Sequence, residues 1–269
     1  MRTIVAVPAR LASSRLPGKI LADIAGKPML QWVLEACLQA RSPQAVVLCT
    51  DAPELIEAAR RWGCQALLTS PACSSGSDRI ASVVDALVAL AGAPAEQTLV
   101  VNVQGDQPFL DPGVIDAMAA EFTRQAPLPE VLTPVYRMGA EKVHNPNVVK
   151  TLLASDGRAL YFSRSAIPHV RDVDPQHWHA HAPYWGHVGI YGYRADVLAR
   201  WPQLPASPLE DIEKLEQLRL LEAGIGIGTF AVAEESLSVD TAEQLEEARR
   251  LAAERLAGPI PGEGPGEGS

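Results

Sequence analysis

The segment "PARLASSRLPGK", residues 8–19, gathers Arg10, Arg15 and Lys19 in one polar stretch directly after the apolar run "TIVAVP". A guanidinium offers a planar fork that grips two phosphate oxygens at once, while an ammonium is a mobile point charge. Ser13 and Ser14 add hydroxyls, and Gly18 lets the backbone come close. Such a cluster suits a nucleoside triphosphate, whose departing pyrophosphate needs cations for its developing charge. The spacing is not that of a GxxxxGK[ST] phosphate loop. Taken alone, the segment reads equally as a solvated loop with incidental cations.

Two carboxylates offer the complementary chemistry. Asp106 in "VNVQGDQP" closes an apolar run after Gly105, where a hard oxygen donor can hold Mg²⁺ and leave positions open for phosphate. Asp240 in "VDTAEQL" precedes a helical pattern. Each has a plainer reading: Asp106 as a turn residue, and Asp240 or Thr241 as a helix N-cap. "SSGSDR" (74–79) is a Ser/Gly turn at a helix start, able to offer N–H and hydroxyl groups to a base or phosphate. "HWHAH" (177–181) alternates three histidines, but a spacing of two is not a zinc pattern and Trp178 and Pro183 suit a loop. It is read as a loop.

These residues need a scaffold that brings them together. "TIVAVP" (3–8), "AVVLCT" (45–50), "CQALLT" (64–69) and "TLVVNVQGD" (98–106) are runs suited to strands buried on both faces. Between them, "KPMLQWVLEACLQA" (27–40), "PELIEAARRWG" (53–63) and "SDRIASVVDALVALAG" (77–92) have helical spacing. Alternating strands and helices predict a mostly parallel sheet covered on both faces, with ligands in the crevice beyond the carboxyl ends of its strands. Both the opening loop and "QGDQP" lie at such ends.

After residue 130, "EVLTPVYR", "NVVKTLLASDGRALYFS" and "GHVGIYGYR" are strand-like and predict additions to the sheet or a lid over the site. "SPLEDIEKLEQLRLLEAG" (207–224) reads as one helix capped near Ser207 and stopped at Gly224, which would put Glu210, Glu213 and Gln217 on one face. "GIGTFAVAEE" is a last strand, and "TAEQLEEARRLAAERLAG" (241–258) a terminal amphipathic helix. The Gly/Pro/Glu tail, 258–269, has the composition of a disordered segment.

The chain has 269 residues, 47% of them apolar, enough for one large α/β domain. Its net charge of -9, from 23 basic and 32 acidic residues, argues against nucleic-acid or membrane-surface binding and makes the opening cations a local feature. Four cysteines without a CxxC pair, and no secretory-type start, read as reduced thiols in a cytoplasmic protein. No stretch reaches the roughly 18 apolar residues a membrane span needs.

Taken in order, "RLASSRLPGK", "SSGSDR", "VNVQGDQP", "NPNVVK", "ALYFSRSAIP", "GHVGIYGYR", "SPLEDIEKLEQLR" and "VDTAEQL" resemble the 3-deoxy-manno-octulosonate cytidylyltransferases, the CMP-Kdo synthetases. The resemblance runs from residue 3 to about 250. It implies a Rossmann-like nucleotidyltransferase domain over 1–257, with 131–205 as a strand-rich lid, sugar-site and dimer-interface region. It also implies a homodimer that uses CTP and Kdo with Mg²⁺ in the cytoplasm and makes CMP-Kdo for lipopolysaccharide. Carried over residue by residue, Ala9, Arg10, Ser13, Arg15 and Lys19 hold the triphosphate, and Ser75, Gly76 and Arg79 lie near cytosine and ribose. Asp106 and Asp240 ligate Mg²⁺, with Arg15 and Lys19 also taking up leaving-group charge. Gln104, Arg164, His187, Tyr191, Glu210, Glu213 and Gln217 form the sugar pocket, in which Arg164 can pair with the sugar's carboxylate. Apart from the family, Arg164 could be a structural ion-pair partner, and His187 and Tyr191 a core pair on one strand. Cys73, Ser77 and Gln107 stand where the family often has His, Thr and Glu, beside the base site and the metal turn. A cytidylyltransferase for 8-amino-Kdo or a sialic acid, or a nucleotide-binding module without catalysis, are the alternatives.

Overall fold

The computed structural model describes residues 1–11, 16, 18–234 and 236–257; Ser13, Arg15 and the tail 258–269 lie outside the described residues. The first apolar run is β1 (Arg2–Ala9), buried from Thr3 onward. A 3-10 turn at Lys19–Leu21 and a small ribbon of β2 (Asp23–Ile24) and β3 (Lys27–Pro28) lead into α1 (Met29–Gln39). Then come β4 (Ala45–Thr50), α2 (Pro53–Arg61) and β5 (Gln65–Leu68). The next stretch holds α3 (Gly76–Ala81), α4 (Val84–Ala91), β6 (Thr98–Asn102) and α5 (Pro112–Arg124). β7 (Val131–Arg137), β8 (Lys150–Leu153) and β9 (Ala159–Ser163) precede α6 (Trp178–His181). β10 (Trp185–His187), β11 (Tyr191–Arg194) and α7 (Ala195–Ala199) follow. The chain continues through α8 (Pro208–Glu213), α9 (Leu218–Glu222), β12 (Ile227–Val232) and α10 (Ala242–Ala257).

β5, β4, β1 and β6 form a parallel sheet in that order, and the sheet becomes mixed beyond β6. This is the expected Rossmann-like α/β arrangement. β10 and β11 lie end to end along one edge of β7, antiparallel to it, while β12 runs parallel along the other. On its far side β11 pairs with β6, whereas β10 pairs with β8. The sheet therefore forks where β10 passes into β11. At that junction Ile190 N–H donates to Val188 O (2.7 Å) in a three-residue turn, an irregularity of the kind that re-aims side chains beside functional sites.

The helices cover both faces. Val5, Val7, Leu34 and Ile115 anchor one apolar cluster, and Ile4, Ala6, Ile80 and Leu87 the other, so alternate β1 residues serve opposite faces. A third cluster, with Ile24, Met29, Phe109, Val239 and Ala248, seats α10 against the parallel end.

Three expectations are corrected: the segment read as a loop over 177–181 holds the short helix α6, and two expected helices are each broken in two. The helix expected over 77–92 is two, because Ser82 Oγ donates to Arg79 O (2.7 Å) and competes with the helical ladder. The helix expected over 207–224 breaks after Glu213, where Lys214 takes left-handed geometry (φ 54°). Glu213 is drawn to β9 while Leu215 enters the core, faces about 200° apart on a straight helix. α5 was not expected at all, although Asp111 caps it by accepting from Gly113 N (2.8 Å) and Pro112 opens it.

Candidate active site

Backbone geometry first brings the distant segments together. β1 and β6 are adjacent and parallel, so "PARL" and "QGDQ" leave the same sheet edge. At Gly105 an added Cβ would lie 3.4 Å from Pro8 O, which is why the turn approaches β1 so closely. At Gly76 it would lie 3.1 Å from the Pro8 ring and 3.5 Å from Gln104 Oε1, placing the start of α3 against both. Val239 N–H donates to Asp106 O (2.9 Å), which draws Asp240 alongside Asp106. The alternative N-cap role falls to Thr241: its Oγ1 accepts from Gln244 N (3.3 Å), and Gln244 Oε1 returns to the N–H groups of Asp240 and Thr241.

Lys19 occupies the centre of this end. Gly18, at φ 68°, starts the 3-10 turn that presents it. Its ammonium lies 2.7 Å from Asp106 Oδ2 and 2.9 Å from Asp240 Oδ1. Burial works against this ammonium, but the two carboxylates carry its pKa above the ordinary lysine value. Two aspartates on separate segments thus share one cation, and they are hard oxygen donors of the kind and number Mg²⁺ takes from protein. Among the described residues no group of three or more His, Cys, Asp or Glu converges on a metal-sized site. Ala9 is buried and Arg10 exposed just beyond it.

A polar network joins this end to the fork. Gln104 Nε2 donates to Asn102 Oδ1 (2.9 Å), and the Tyr193 hydroxyl lies 3.3 Å from Ser77 Oγ. Ser77 Oγ donates to Glu216 Oε2 (3.0 Å), while Ser75 caps α3 and accepts from Asp78 N (3.1 Å). Burial raises the Glu216 carboxyl above the usual carboxylate range, against the pull of Ser75 and Ser77. Among the described residues, Asn102 Nδ2, Glu216 Oε1 and Gln217 Nε2 are buried without a hydrogen-bond partner. Such groups are uncommon in native proteins and call for a partner from outside the chain, a bound water or a ligand.

His187 and Tyr191 flank the fork, their rings 5.3 Å apart, on two different strands rather than on one. Thr133 Oγ1 lies within hydrogen-bond reach of Val188 O (3.2 Å), Ile190 O (2.9 Å) and His187 Nε2 (3.0 Å); when its one proton goes to Ile190 O, the shorter carbonyl contact, it accepts from His187. In that arrangement His187 is the Nε2–H tautomer, with a lone pair on Nδ1. Burial pushes its pKa down to about 3, and it stays neutral at any ordinary pH. The same burial drives the Tyr191 hydroxyl well above the tyrosine range.

The remaining expected residues divide. Arg164 follows β9; its Nε donates to Glu213 O (2.8 Å) and Nη1 to Pro146 O (3.2 Å), leaving Nη2 without a partner among the described residues. Glu213 spends its carboxylate on Ser163 Oγ (2.7 Å) and Arg164 N (3.0 Å). Glu210 forms a two-point pair with Arg219 (2.7 and 3.1 Å), and Gln217 is buried. Glu210 and Glu213 share a face of α8 three residues apart, but the break at Lys214 takes Gln217 out of that helix. Arg79 is buried and bonded to Thr69 and to Asp51 (3.3 Å), turned toward the ends of β4 and β5. Glu216 was missed; its place beside Gln217 in "KLEQLR" was the available signal.

The cytidylyltransferase family model matches residues 4–236. A 3-deoxy-manno-octulosonate cytidylyltransferase of Synechococcus elongatus is 42% identical over 95% of this chain and 100% of its own length. One from Acidobacterium capsulatum is 41% identical over 93% of this chain and 96% of its own. Among solved structures, a CMP:2-keto-3-deoxy-manno-octonic acid synthetase complexed with CTP superposes with a TM-score of 0.85 at 39% identity, covering 95% of this chain and 100% of that one. A cytidylyltransferase from Leptospira borgpetersenii, 16% identical with a TM-score of 0.61 and coverage of 94% and 87%, shares the fold.

Proposed function

We infer that this chain, which belongs to the 3-deoxy-manno-octulosonate cytidylyltransferase family, transfers the CMP moiety of CTP to the anomeric hydroxyl of Kdo. CMP-Kdo and pyrophosphate are the products, and CMP-Kdo is the activated sugar for lipopolysaccharide assembly. The observation that carries the site assignment is the meeting of Asp106, Asp240 and Lys19 at the carboxyl ends of β1 and β6.

The hydroxyl oxygen of Kdo forms a bond to the α-phosphorus as the bond to pyrophosphate breaks, and the hydroxyl proton passes to water. Arg10, Arg15 and Lys19 hold the triphosphate and take up charge on the leaving group. For this the Lys19 ammonium exchanges its carboxylate partners for phosphate oxygens, a movement its flexible stem allows. Asp106 and Asp240 would hold Mg²⁺, which supplies charge neutralisation at the phosphate. Ser75 and Gly76, at the start of α3, face the nucleoside. At the fork Arg164 offers Nη2 to the sugar carboxylate, and neutral His187 accepts a sugar hydroxyl at Nδ1. Gln104, Tyr191, Glu216 and Gln217 complete the pocket. Positioning and electrostatics account for catalysis without a protein base.

Residues 1–257 act as one nucleotidyltransferase domain, with 131–205 supplying the sugar end and the contact of a homodimer. Leu160, exposed on β9, supports an apolar contact there. No described helix is long and apolar enough to cross a membrane. The four free cysteines fit the reducing cytoplasm.

Pyrophosphate release from CTP and Mg²⁺ with Kdo, run beside 8-amino-Kdo and a sialic acid, tests the assignment. Release with Kdo at the highest kcat/KM is expected. A preference for either other sugar would overturn the substrate, and silence with all three would overturn the activity.

A further inference from the structure

Lys150 is fully buried, a rare condition for lysine. Its ammonium donates to Asn145 O (2.8 Å), Val148 O (2.7 Å) and Arg164 O, so all three N–H groups are used on backbone. These carbonyls come from two segments, the turn before β8 and the end of β9. Arg164 Nη1 reaches Pro146 O in that same turn. Glu213, reaching in from α8, holds Arg164 N and Ser163 Oγ.

Two charged groups face Lys150, namely Arg164 and Glu213. A buried ammonium carries a desolvation cost that carbonyl dipoles offset only in part. Burial, reinforced by Arg164, brings its pKa down to about 8. An apolar side chain of similar length would avoid that cost but would leave three carbonyls unpaired and the two segments unjoined.

We propose that Lys150 is a positioning residue for the sugar acid: by tying Arg164 O to the Asn145–Val148 turn, it fixes where the Arg164 guanidinium points. This rests on the reading of Arg164 as the anchor of the sugar carboxylate. Lys150 acts only through Arg164. A displaced guanidinium should weaken sugar-acid capture and leave CTP capture alone.

The experiment is a double-mutant cycle of Lys150→Met and Arg164→Ala, read as KM for Kdo, KM for CTP, kcat and melting temperature. Lys150→Met is expected to raise the Kdo KM about tenfold or more, with the CTP KM within about twofold. The double variant should be no worse than Arg164→Ala alone. An unchanged Kdo KM in Lys150→Met, equal rises for both substrates, or multiplicative losses in the double variant would each overturn the proposal. An Arg164→Ala variant with a normal Kdo KM would overturn the sugar anchor itself, a distinct failure.

Should Lys150→Met not fold, the wild-type pH profile decides. Above pH 8 the neutral amine loses one of its three donors, so the Kdo KM should rise while the CTP KM stays level. Because this lysine's folded pKa lies below its unfolded value, its own linkage adds stability over that range, and such a rise is not unfolding. A flat Kdo KM from pH 7.5 to 9 overturns the proposal.

Discussion

The two ends of the crevice are built on opposite principles. At the nucleotide end, Lys19, Asp106 and Asp240 are partly exposed ions held by one another. At the sugar end, His187 and Tyr191 are neutral groups whose ionisation burial suppresses, and Lys150 is enclosed by carbonyls. Ion pairs of the first kind exchange partners readily, as a site must that admits and releases a polyanion. The second kind is fixed before the ligand arrives, which suits recognition of one array of hydroxyls and a carboxylate. The fork in the sheet divides the two, with β6 delivering the exposed ionic end and β10 and β11 the buried neutral pair.

The largest effect should come from the ionic end. Asp106→Ala is expected to lower turnover by about three orders of magnitude or more, the scale of losing a principal charge-stabilising element. The melting temperature should hold within a few degrees, since Lys19 keeps Asp240 as a partner. Pyrophosphate release and a thermal melt check both halves, and near-normal turnover would dissolve the contrast.

Stability at alkaline pH separates the two halves next. Burial raises the thiol pKa values of Cys49 to about 12 and Cys64 to about 11, and that of Cys37 further still. All three lie in the parallel half. The unfolded chain loses these protons first, near pH 9, so each thiol lowers stability as pH rises, by about 1.4 kcal/mol per unit. Lys150, in the other half, contributes with the opposite sign between pH 8 and the unfolded lysine value. The net expectation is a loss of about 3 kcal/mol between pH 9 and 10. Urea midpoints measure it, and a midpoint that climbs over this interval would contradict the thiol burial.

Thr133→Val sharpens the neutral end. The change keeps the shape but removes the hydroxyl that meets His187 Nε2, Val188 O and Ile190 O. It should cost about 1–3 kcal/mol of stability and lower kcat/KM for Kdo about tenfold, leaving the CTP KM unchanged. A matching rise in the CTP KM would show that the ends are not separable. The smallest effect belongs to Cys73, whose thiol makes a long hydrogen bond to Ser82 Oγ, at 3.9 Å. Cys73→Ala should move the CTP KM by less than about twofold, and a larger shift would place the thiol in the base site.

How legible each end was in the sequence follows from the same physics. The ionic end rests on short-range signals: an apolar strand, a Gly that permits close approach, an acid at its end, and a Thr-x-x-Gln cap. The eight motifs in order carried the family and the fold. α5 is equally legible, since Asp111–Pro112 is a helix start. The neutral end was less legible because tertiary contacts decide it. Nothing local to "GHVGIYGYR" reveals a strand that changes neighbours at Val188–Ile190, or that Thr133 reaches across to organise it. The break at Lys214 overrides good helix formers because Glu213 and Leu215 are claimed by opposite sides. Lys150 looked like one more strand residue.

The central claim, that paired aspartates run the chemistry while the fork binds the sugar, is tested most directly with Asp240→Asn. Turnover and Kdo affinity would be measured on the same preparation, by pyrophosphate release and calorimetry. The account expects turnover to fall about a thousandfold while Kdo binds as it does to the wild type. Turnover within tenfold of wild type, or loss of Kdo binding in step with turnover, would contradict it.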